Sequence, residues 1–185
     1  MKRLMMLLVF AALVLPANAY AQPTPVNDFA VEFPAAEIGE GWAISSSGPP
    51  ENQLLAWSFR TVYTGPEGAS IVISTIELGA SIGAVSLNWN KAQSFWETMA
   101  EREIGASDSV KEGRANKMPE GIATDAFAAI GTDPYTGQEA ACALYGSLPK
   151  ATAITVLIKG TVNGLTGVAA TDYVAGLYFA ALSGQ

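Results

Sequence analysis

Residues 64–76 are TGPEGASIVISTI, and this stretch decides the fold. Its first part, Thr64–Gly68, combines glycine and proline in the manner of a turn. The part that follows, Ser70–Ile76, is rich in β-branched residues, which favour a strand. Upstream, Leu54–Tyr63 has the pattern of a second strand. We therefore predict a β-hairpin over Leu54–Ile76.

Other runs that are β-branched or alternate in polarity predict strands on either side of this hairpin. They are residues 29–33, 110–115, 122–130, 139–147 and 152–159. The segment Asp133-Pro134-Tyr135-Thr136-Gly137 has turn chemistry and predicts a second hairpin. Residues 39–50 are rich in glycine and proline and predict a loop, in which Trp42 covers the core.

Two helices complete the predicted domain. Over Leu87–Ile104, Trp89, Trp96 and Met99 recur at helical spacing, and a second apolar stripe runs through Val168–Leu182. The sequence therefore predicts an α+β fold, in which a largely antiparallel sheet of about six strands carries two packed helices.

The N-terminus has the order of residues that is typical of a secretory signal peptide. Lys2 and Arg3 precede an apolar run, Leu4–Leu15, which Pro16 ends before a series of small residues. This run is shorter than the roughly 20 residues that a membrane-spanning helix requires. We expect a signal peptide over residues 1–21, a flexible lead-in over 22–28, and a single domain over 29–185. The mature protein is then periplasmic or extracellular, without stable membrane insertion; an uncleaved anchor is the alternative.

Charge argues against a nucleic acid as the partner. The formal net charge is −7. Without Lys2 and Arg3, eight basic residues face 17 acidic ones, so the mature chain carries about −9. Such a surface repels phosphate backbones and anionic lipid headgroups. We expect the acidity to keep an exported protein soluble, with a cation-binding role as the alternative.

The chain has no histidine and one cysteine, Cys142. Catalysis by Ser-His-Asp or Cys-His groups is therefore excluded, and zinc or copper sites that depend on imidazole are not expected. Cys142 lies in a strand-like segment and is expected to be a small buried residue, with a reactive thiol as the alternative. We predict no cofactor, no metal ion and no catalytic residue.

Three short patterns resemble functional motifs but have simpler interpretations as turns and loops. Ser147–Lys150 fits Ser-x-x-Lys, but Pro149 interrupts it between two predicted strands. The oxygens near the second turn lack the density of a calcium loop (Asp133, Thr136 and Glu139). The glycines that precede the last helix lack the spacing of a dinucleotide site (Gly160, Gly164 and Gly167).

Aromatic residues form the best binding-site candidate. Trp57 and Phe59 share one face of a predicted strand, and Trp89 and Trp96 share one side of a predicted helix. We predict that these four side chains line a pocket for a small apolar ligand between helix and sheet. An apolar seam without a ligand is the alternative.

An enzyme without histidine would have to use carboxylates, as glycoside hydrolases do with a pair of acids. Five candidates are present, and a solvated surface is the simpler interpretation of each (Glu97, Glu101, Asp125, Asp133 and Glu139).

The order of elements resembles the PsbP/Mog1-like α/β/α sandwich group. The features that carry this resemblance are Phe33-Pro34, the Gly41-Trp42 pair, the hairpin at Leu54–Ile76, the helix at Leu87–Ile104, the later meander and the closing helix. The similarity is one of topology and covers most of the mature chain, so no functional residue is transferred from it. Because proteins of that group are mostly accessory or binding factors, the resemblance implies a non-catalytic role.

These observations lead to one expected function and two alternatives. We expect an exported, small, non-catalytic binding or accessory protein of the bacterial envelope, whose partner is a protein or a small apolar ligand. The alternatives are a carboxylate-dependent envelope hydrolase and a structural subunit of an envelope assembly.

Overall fold

The computed structural model describes residues 24–27, 29–49, 58–79, 82–104, 112–114, 126–147 and 150–184. The described residues form nine strands and two α-helices. The strands are β1 (Thr24–Asn27), β2 (Ala30–Glu32), β3 (Ala43–Gly48), β4 (Ser58–Thr64), β5 (Ser70–Glu77), β6 (Glu112–Arg114), β7 (Ala126–Thr132), β8 (Glu139–Ser147) and β9 (Thr152–Lys159). The helices are α1 (Ile82–Ile104) and α2 (Gly167–Ser183).

Seven strands form one antiparallel sheet in the order β3-β4-β5-β9-β8-β7-β6. Six of them form its body, and the three-residue β6 extends one edge. The predicted hairpin is confirmed, because Tyr63 pairs with Ile71 and the Gly65 N–H donates to the Ala69 carbonyl at 2.8 Å. The predicted α+β class, with an antiparallel sheet and two helices, is also confirmed.

The helices lie on opposite faces of this sheet, so the central strands are buried on both sides. On β8, Cys142 and Leu144 belong to the cluster under α1, whereas Ala143 and Tyr145 belong to the cluster under α2. Every residue of β8 after its first is buried. This explains why β8 and β9 are continuous apolar runs, as expected for strands that are covered on both faces.

A small ribbon, β1 paired with β2, packs beside α2. The Val31 N–H donates to the Tyr178 hydroxyl at 3.3 Å, and that hydroxyl also bonds the Thr75 hydroxyl at 2.8 Å. Tyr178 therefore connects the ribbon, α2 and the main sheet. Burial raises the pKa of Tyr178 to about 12, although its hydrogen bonds oppose the shift.

The structure departs from the sequence expectations near the N-terminus. Thr24–Asn27, within the expected lead-in, pairs with β2, which occupies the predicted strand at 29–33. The loop predicted over residues 39–50 is wrong for Ala43–Gly48, because this segment is β3. Since β3 is an exposed edge strand, it has no buried face to impose an apolar alternation on its sequence.

The remaining boundaries differ little from the predictions. Helix α1 starts at Ile82, five residues before Leu87, and β6 and β7 fall within or beside the predicted strands at 110–115 and 122–130. The predicted signal peptide, residues 1–21, lies outside the described residues. In the part of the chain that the structure describes, neither helix is both long and apolar enough to cross a membrane.

Candidate functional site

The four aromatic residues of the predicted pocket do not share one site among the described residues. Trp57 lies outside them. Phe59 pairs with Thr75, whose hydroxyl bonds Tyr178 of α2, so Phe59 is on the α2 face. Trp89 and Trp96 are on α1, which covers the opposite face. The sheet therefore separates Phe59 from the two tryptophans, and ligand binding by the four remains a prediction.

Trp89 and Trp96 lie in the contact between α1 and the sheet. The Trp96 indole N–H donates to the Cys142 carbonyl at 3.1 Å, and its ring centroid is 5.7 Å from that of Phe127. A Cβ atom added at Gly146 would lie 2.7 Å from the Trp89 ring, so this ring rests on the glycine backbone. These contacts correspond to the alternative interpretation, an apolar seam between helix and sheet.

The single cysteine belongs to the same contact region. Cys142 is 0% exposed, and its neighbours are apolar residues of the α1 cluster. Burial, and next the nearby charge of Glu103, raise the pKa of the thiol well above its usual value. Since the thiolate is the reactive form, this position confirms a structural cysteine.

The carboxylates proposed for an enzyme lie on several different elements where the structure describes them. Glu101 is exposed on α1 and Glu97 is half-buried there, while Asp133 is in the turn between β7 and β8. Glu139 is on the α2 face of the sheet, as shown below, and Asp125 lies outside the described residues. The described part of the chain holds no group of three His, Cys, Asp or Glu side chains placed for a metal ion.

Asp133 has a clear structural role. Its carboxylate accepts a hydrogen bond from the Thr136 hydroxyl at 2.6 Å and one from the Tyr135 N–H at 3.3 Å. The Gly137 N–H donates to the Asp133 carbonyl at 2.9 Å and closes the turn. This geometry confirms the predicted hairpin turn. Likewise, the segment with Gly160 and Gly164 is a loop between β9 and α2.

A pocket that the sequence did not indicate lies at the end of the sheet where β8 begins and β9 ends. Its volume is about 430 Å³, which falls in the lower range for small-molecule sites. Four segments line it: residues 39–42 before β3, residues 66–69 before β5, residues 138–139 at the start of β8, and residues 160–166 before α2. We call it the Trp42 pocket.

Trp42 is the one aromatic side chain among the described residues of this lining. It is half-buried and packs against the α2-side core. A Cβ atom at Gly65 would lie 2.6–2.7 Å from three atoms of the indole ring, and one at Gly39 would lie 3.6 Å from another. Glycine at 65 thus lets the backbone lie directly against the indole, which fixes the ring in the pocket wall.

Two hydrogen bonds, one between backbone groups and one from a side chain, join segments of the pocket wall. The Gly160 N–H donates to the Glu139 carbonyl at 2.9 Å, and this bond joins the start of β8 to the end of β9. Across the pocket, the Gln138 amide nitrogen donates to the Glu67 carbonyl at 3.2 Å. The walls are therefore formed before a ligand arrives, which lowers the cost of ordering them on binding.

One buried acceptor in this wall lacks a donor. Because the Gln138 amide nitrogen is directed to Glu67, its Oε1 faces Gly160, where an added Cβ would be 3.3 Å away. Oε1 is buried and has no hydrogen-bond partner among the described residues. Because this oxygen is itself buried, it is not part of the surface that a ligand in the pocket would contact.

The charged side chains in the lining are all acidic. They are Glu40, Glu67 and Glu139, and the described lining contains no lysine or arginine. Glu40 and Glu67 are exposed at the rim. A Cβ atom at Gly167 would lie 3.0 Å from Oε1 of Glu139, so this carboxylate is beside the first residue of α2, where the helix dipole favours negative charge.

Comparisons with known proteins found no match. No family model matches the chain. No curated protein matches it, and no solved structure does so either.

Proposed function

We propose that this chain is an exported, non-catalytic binding protein of the bacterial envelope and that its ligand occupies the Trp42 pocket. The observation that carries the proposal is the pocket itself, with an indole packed into its wall and hydrogen bonds between its wall segments. Ligand sites commonly combine a concave, partly apolar surface with a few placed polar groups.

The positions of the carboxylates support binding more than catalysis. Of the acids that the sequence offers for an acid–base pair, only Glu139 lines the pocket, and Asp133 is occupied in its turn. The other two carboxylates of the lining, Glu40 and Glu67, are exposed at the rim. The order of the N-terminal residues supports export to the periplasm or the medium. The element order of the sequence resembles that of the PsbP/Mog1-like group, and because members of that group are mostly accessory factors, this resemblance also favours a non-catalytic role.

The test is native mass spectrometry of the mature protein, purified gently from the periplasm of its own host. Two threonine variants are compared with the wild type. Thr161→Trp places a large side chain in the pocket lining, whereas Thr98→Trp adds the same side chain at an exposed position of α1. We expect a bound mass on the wild type and on T98W but not on T161W. A mass that is retained by T161W would place the ligand elsewhere and contradict the proposal.

A second candidate, a structural subunit of an envelope assembly, is favoured by the edge strand β3. Its residues Ala43–Ser47 are exposed and uncharged, and β3 ends the sheet. An uncharged open edge is a template for pairing with another strand. If it is used, Ser47→Lys abolishes a complex that the wild type forms in size-exclusion chromatography with light scattering. A wild type that is monomeric up to high concentration and carries no partner protein from its host would exclude this candidate.

A further inference from the structure

We propose that the ligand of the Trp42 pocket is a small organic cation that carries an alkylammonium group. The inference rests on the proposed function and names the chemical class of the ligand. It returns to the cation-binding alternative that the acidity of the chain leaves open.

Charge is the first argument. Glu40, Glu67 and Glu139 line the pocket, and their charges meet no lysine or arginine in the described lining. The nearest basic residue along the chain, Lys159, is engaged elsewhere: its ammonium group contacts Glu103 at 3.1 Å and Asp133 at 3.3 Å. The pocket therefore attracts cations and repels phosphates and carboxylates.

The direction of the Lys159 side chain strengthens this argument. Along β9, Leu157 belongs to the α1-side cluster, so Lys159 points to the same face, towards Glu103 of α1. The Trp42 pocket is on the α2 side, where Trp42 packs. The sheet thus keeps the lysine away from the pocket carboxylates.

The aromatic wall is the second argument. An indole ring is the best of the aromatic side chains for contact with an ammonium group. Trp42 is held by the Gly65 backbone on one side and by Gly39 near its edge. Because this ring is fixed, little side-chain entropy is lost when a cation contacts it.

The arrangement of the acids defines the type of cation. A compact metal ion needs several oxygens converging at short range. The described residues contain no such group of three acidic side chains. An organic cation, with its charge on a larger apolar body, fits carboxylates that do not converge on one point and an indole in a volume of about 430 Å³.

The experiment uses isothermal titration calorimetry on the mature protein with probes of matched shape. Choline is compared with its neutral isostere 3,3-dimethylbutan-1-ol and with the anion 3,3-dimethylbutanoate, and putrescine and lysine amide extend the cationic set. We expect at least one cation to bind, and both the neutral and the anionic isostere to bind at least about tenfold more weakly.

Matched variants locate the binding. Glu40→Gln with Glu67→Gln removes two charges at the pocket rim, and Glu77→Gln with Glu101→Gln removes two exposed charges elsewhere. The pocket pair should raise the Kd of the cation about tenfold, and the control pair should change it less than about twofold. Trp42→Leu should raise it about 3- to 30-fold. Thermal unfolding of each variant verifies that it is folded.

The outcomes separate this inference from the proposed function. If the neutral or anionic probe binds in the pocket and no cation does, the inference is overturned while the pocket remains a binding site. If a cation binds with equal affinity to both Gln pairs, the site lies elsewhere and the inference is also overturned. If no probe binds and the protein from its own host carries no ligand, both the inference and the proposed function fail.

Discussion

Replacement of Lys159 by methionine is expected to destabilise the protein strongly and in a pH-dependent way. The ammonium group lies 3.1 Å from Glu103 of α1 and 3.3 Å from Asp133 of the β7–β8 turn, and it extends from the end of β9. The Lys159 side chain is 18% exposed and that of Asp133 is 4% exposed. Lys159 therefore connects a helix, a turn and a strand in a partly buried place.

The expected loss follows from the charges that would remain. Methionine keeps most of the aliphatic volume but leaves two carboxylates without their shared cation. Removal of one partner from a buried ion pair costs about 3–5 kcal/mol. Since Glu103 is more exposed and also pairs with Arg102, and since Thr136 still bonds Asp133, we expect about 2–3 kcal/mol for K159M. Lys91→Met, at an exposed position of α1, should cost less than about 1 kcal/mol.

The pH dependence has a definite sign. The Thr136 hydroxyl, first of all, and then the Tyr135 N–H and Lys159 lower the pKa of Asp133 against the opposing effect of burial. For Glu103, burial is the largest effect and raises the pKa, but Lys159 and Arg102 together outweigh it and lower the pKa. A lowered pKa in the folded state adds stability above the unfolded-state pKa of about 4, and this stability is lost as the pH falls through the folded value.

The loss in the free energy of unfolding that K159M causes should therefore be largest near neutral pH. It should decrease on acidification, because the carboxylates become protonated. Urea unfolding of wild type, K159M and K91M at about pH 7, 5 and 3.5 measures it, with unchanged m-values as the check on two-state behaviour. A penalty below about 0.5 kcal/mol at neutral pH, or one that is the same at all three pH values, would refute the reasoning.

Three further predictions test other parts of the structure. Tyr178→Phe leaves the hydroxyl of Thr75 without its partner and should lower the free energy of unfolding by about 1–3 kcal/mol, measured in urea. Tyr173→Phe removes a bond to an exposed carbonyl and is the control, so an equal loss in both variants contradicts the role of Tyr178. Gly176→Ala, in α2 and with nothing within 4 Å of the new Cβ, should raise the melting temperature by adding about 0.5–1 kcal/mol, and a decrease would show that the site is not open. Cys142 should react with iodoacetamide at pH 8 only at the rate of unfolding, so rapid labelling of the native protein would contradict its burial.

The sheet and the helices could be predicted because local signals and tertiary packing agree in them. Residues 64–76 combine a turn with a β-branched run, and both are used as predicted in the β4–β5 hairpin. Helix α1 has one apolar side that carries Trp96 and Met99, and both are buried against the sheet. In such segments one face is buried, so the periodicity of the sequence reflects the structure directly.

Neither the strand β3 nor the separation of the four aromatic residues can be predicted from a short stretch of sequence. All but the last residue of β3 are exposed, so only its backbone pairing with β4 makes it a strand. Phe59 and Trp96 are both aromatic and could on that ground line one pocket. Residue type alone, however, does not show which face of the sheet each helix covers. That choice follows from the packing of α1 and α2 on opposite sides.

The Trp42 pocket is not predictable from the sequence for a related reason. Its lining comes from four loop or strand-end segments that span more than 120 residues of the chain, from Gly39 to Thr166. They meet because β8, β9 and the β4–β5 turn share one end of an antiparallel sheet. The available signal was Trp42 in a glycine-rich segment, together with Gly65, which leaves room for the indole. A large aromatic residue among glycines indicates a close backbone approach, but its partners become visible only when the strand order is known.

The same topology places the ion pairs that stabilise the fold and the proposed binding pocket on opposite faces of the sheet. Lys159 and Gly160 are adjacent on the chain, yet the lysine joins the α1 side through Glu103, whereas the glycine forms the wall of the pocket on the α2 side. Within β9, Ile158 belongs to the α2-side cluster, so the next side chain, that of Lys159, points to the α1 side and away from the carboxylates at the pocket. Substitutions at Lys159 should consequently change stability with little effect on the ligand affinity of the folded protein. Substitutions at Glu40 and Glu67 should change the ligand affinity with little effect on stability. If K159M, measured well below its melting temperature, weakens cation binding as much as E40Q/E67Q does, the two sides are coupled and this division of roles is wrong.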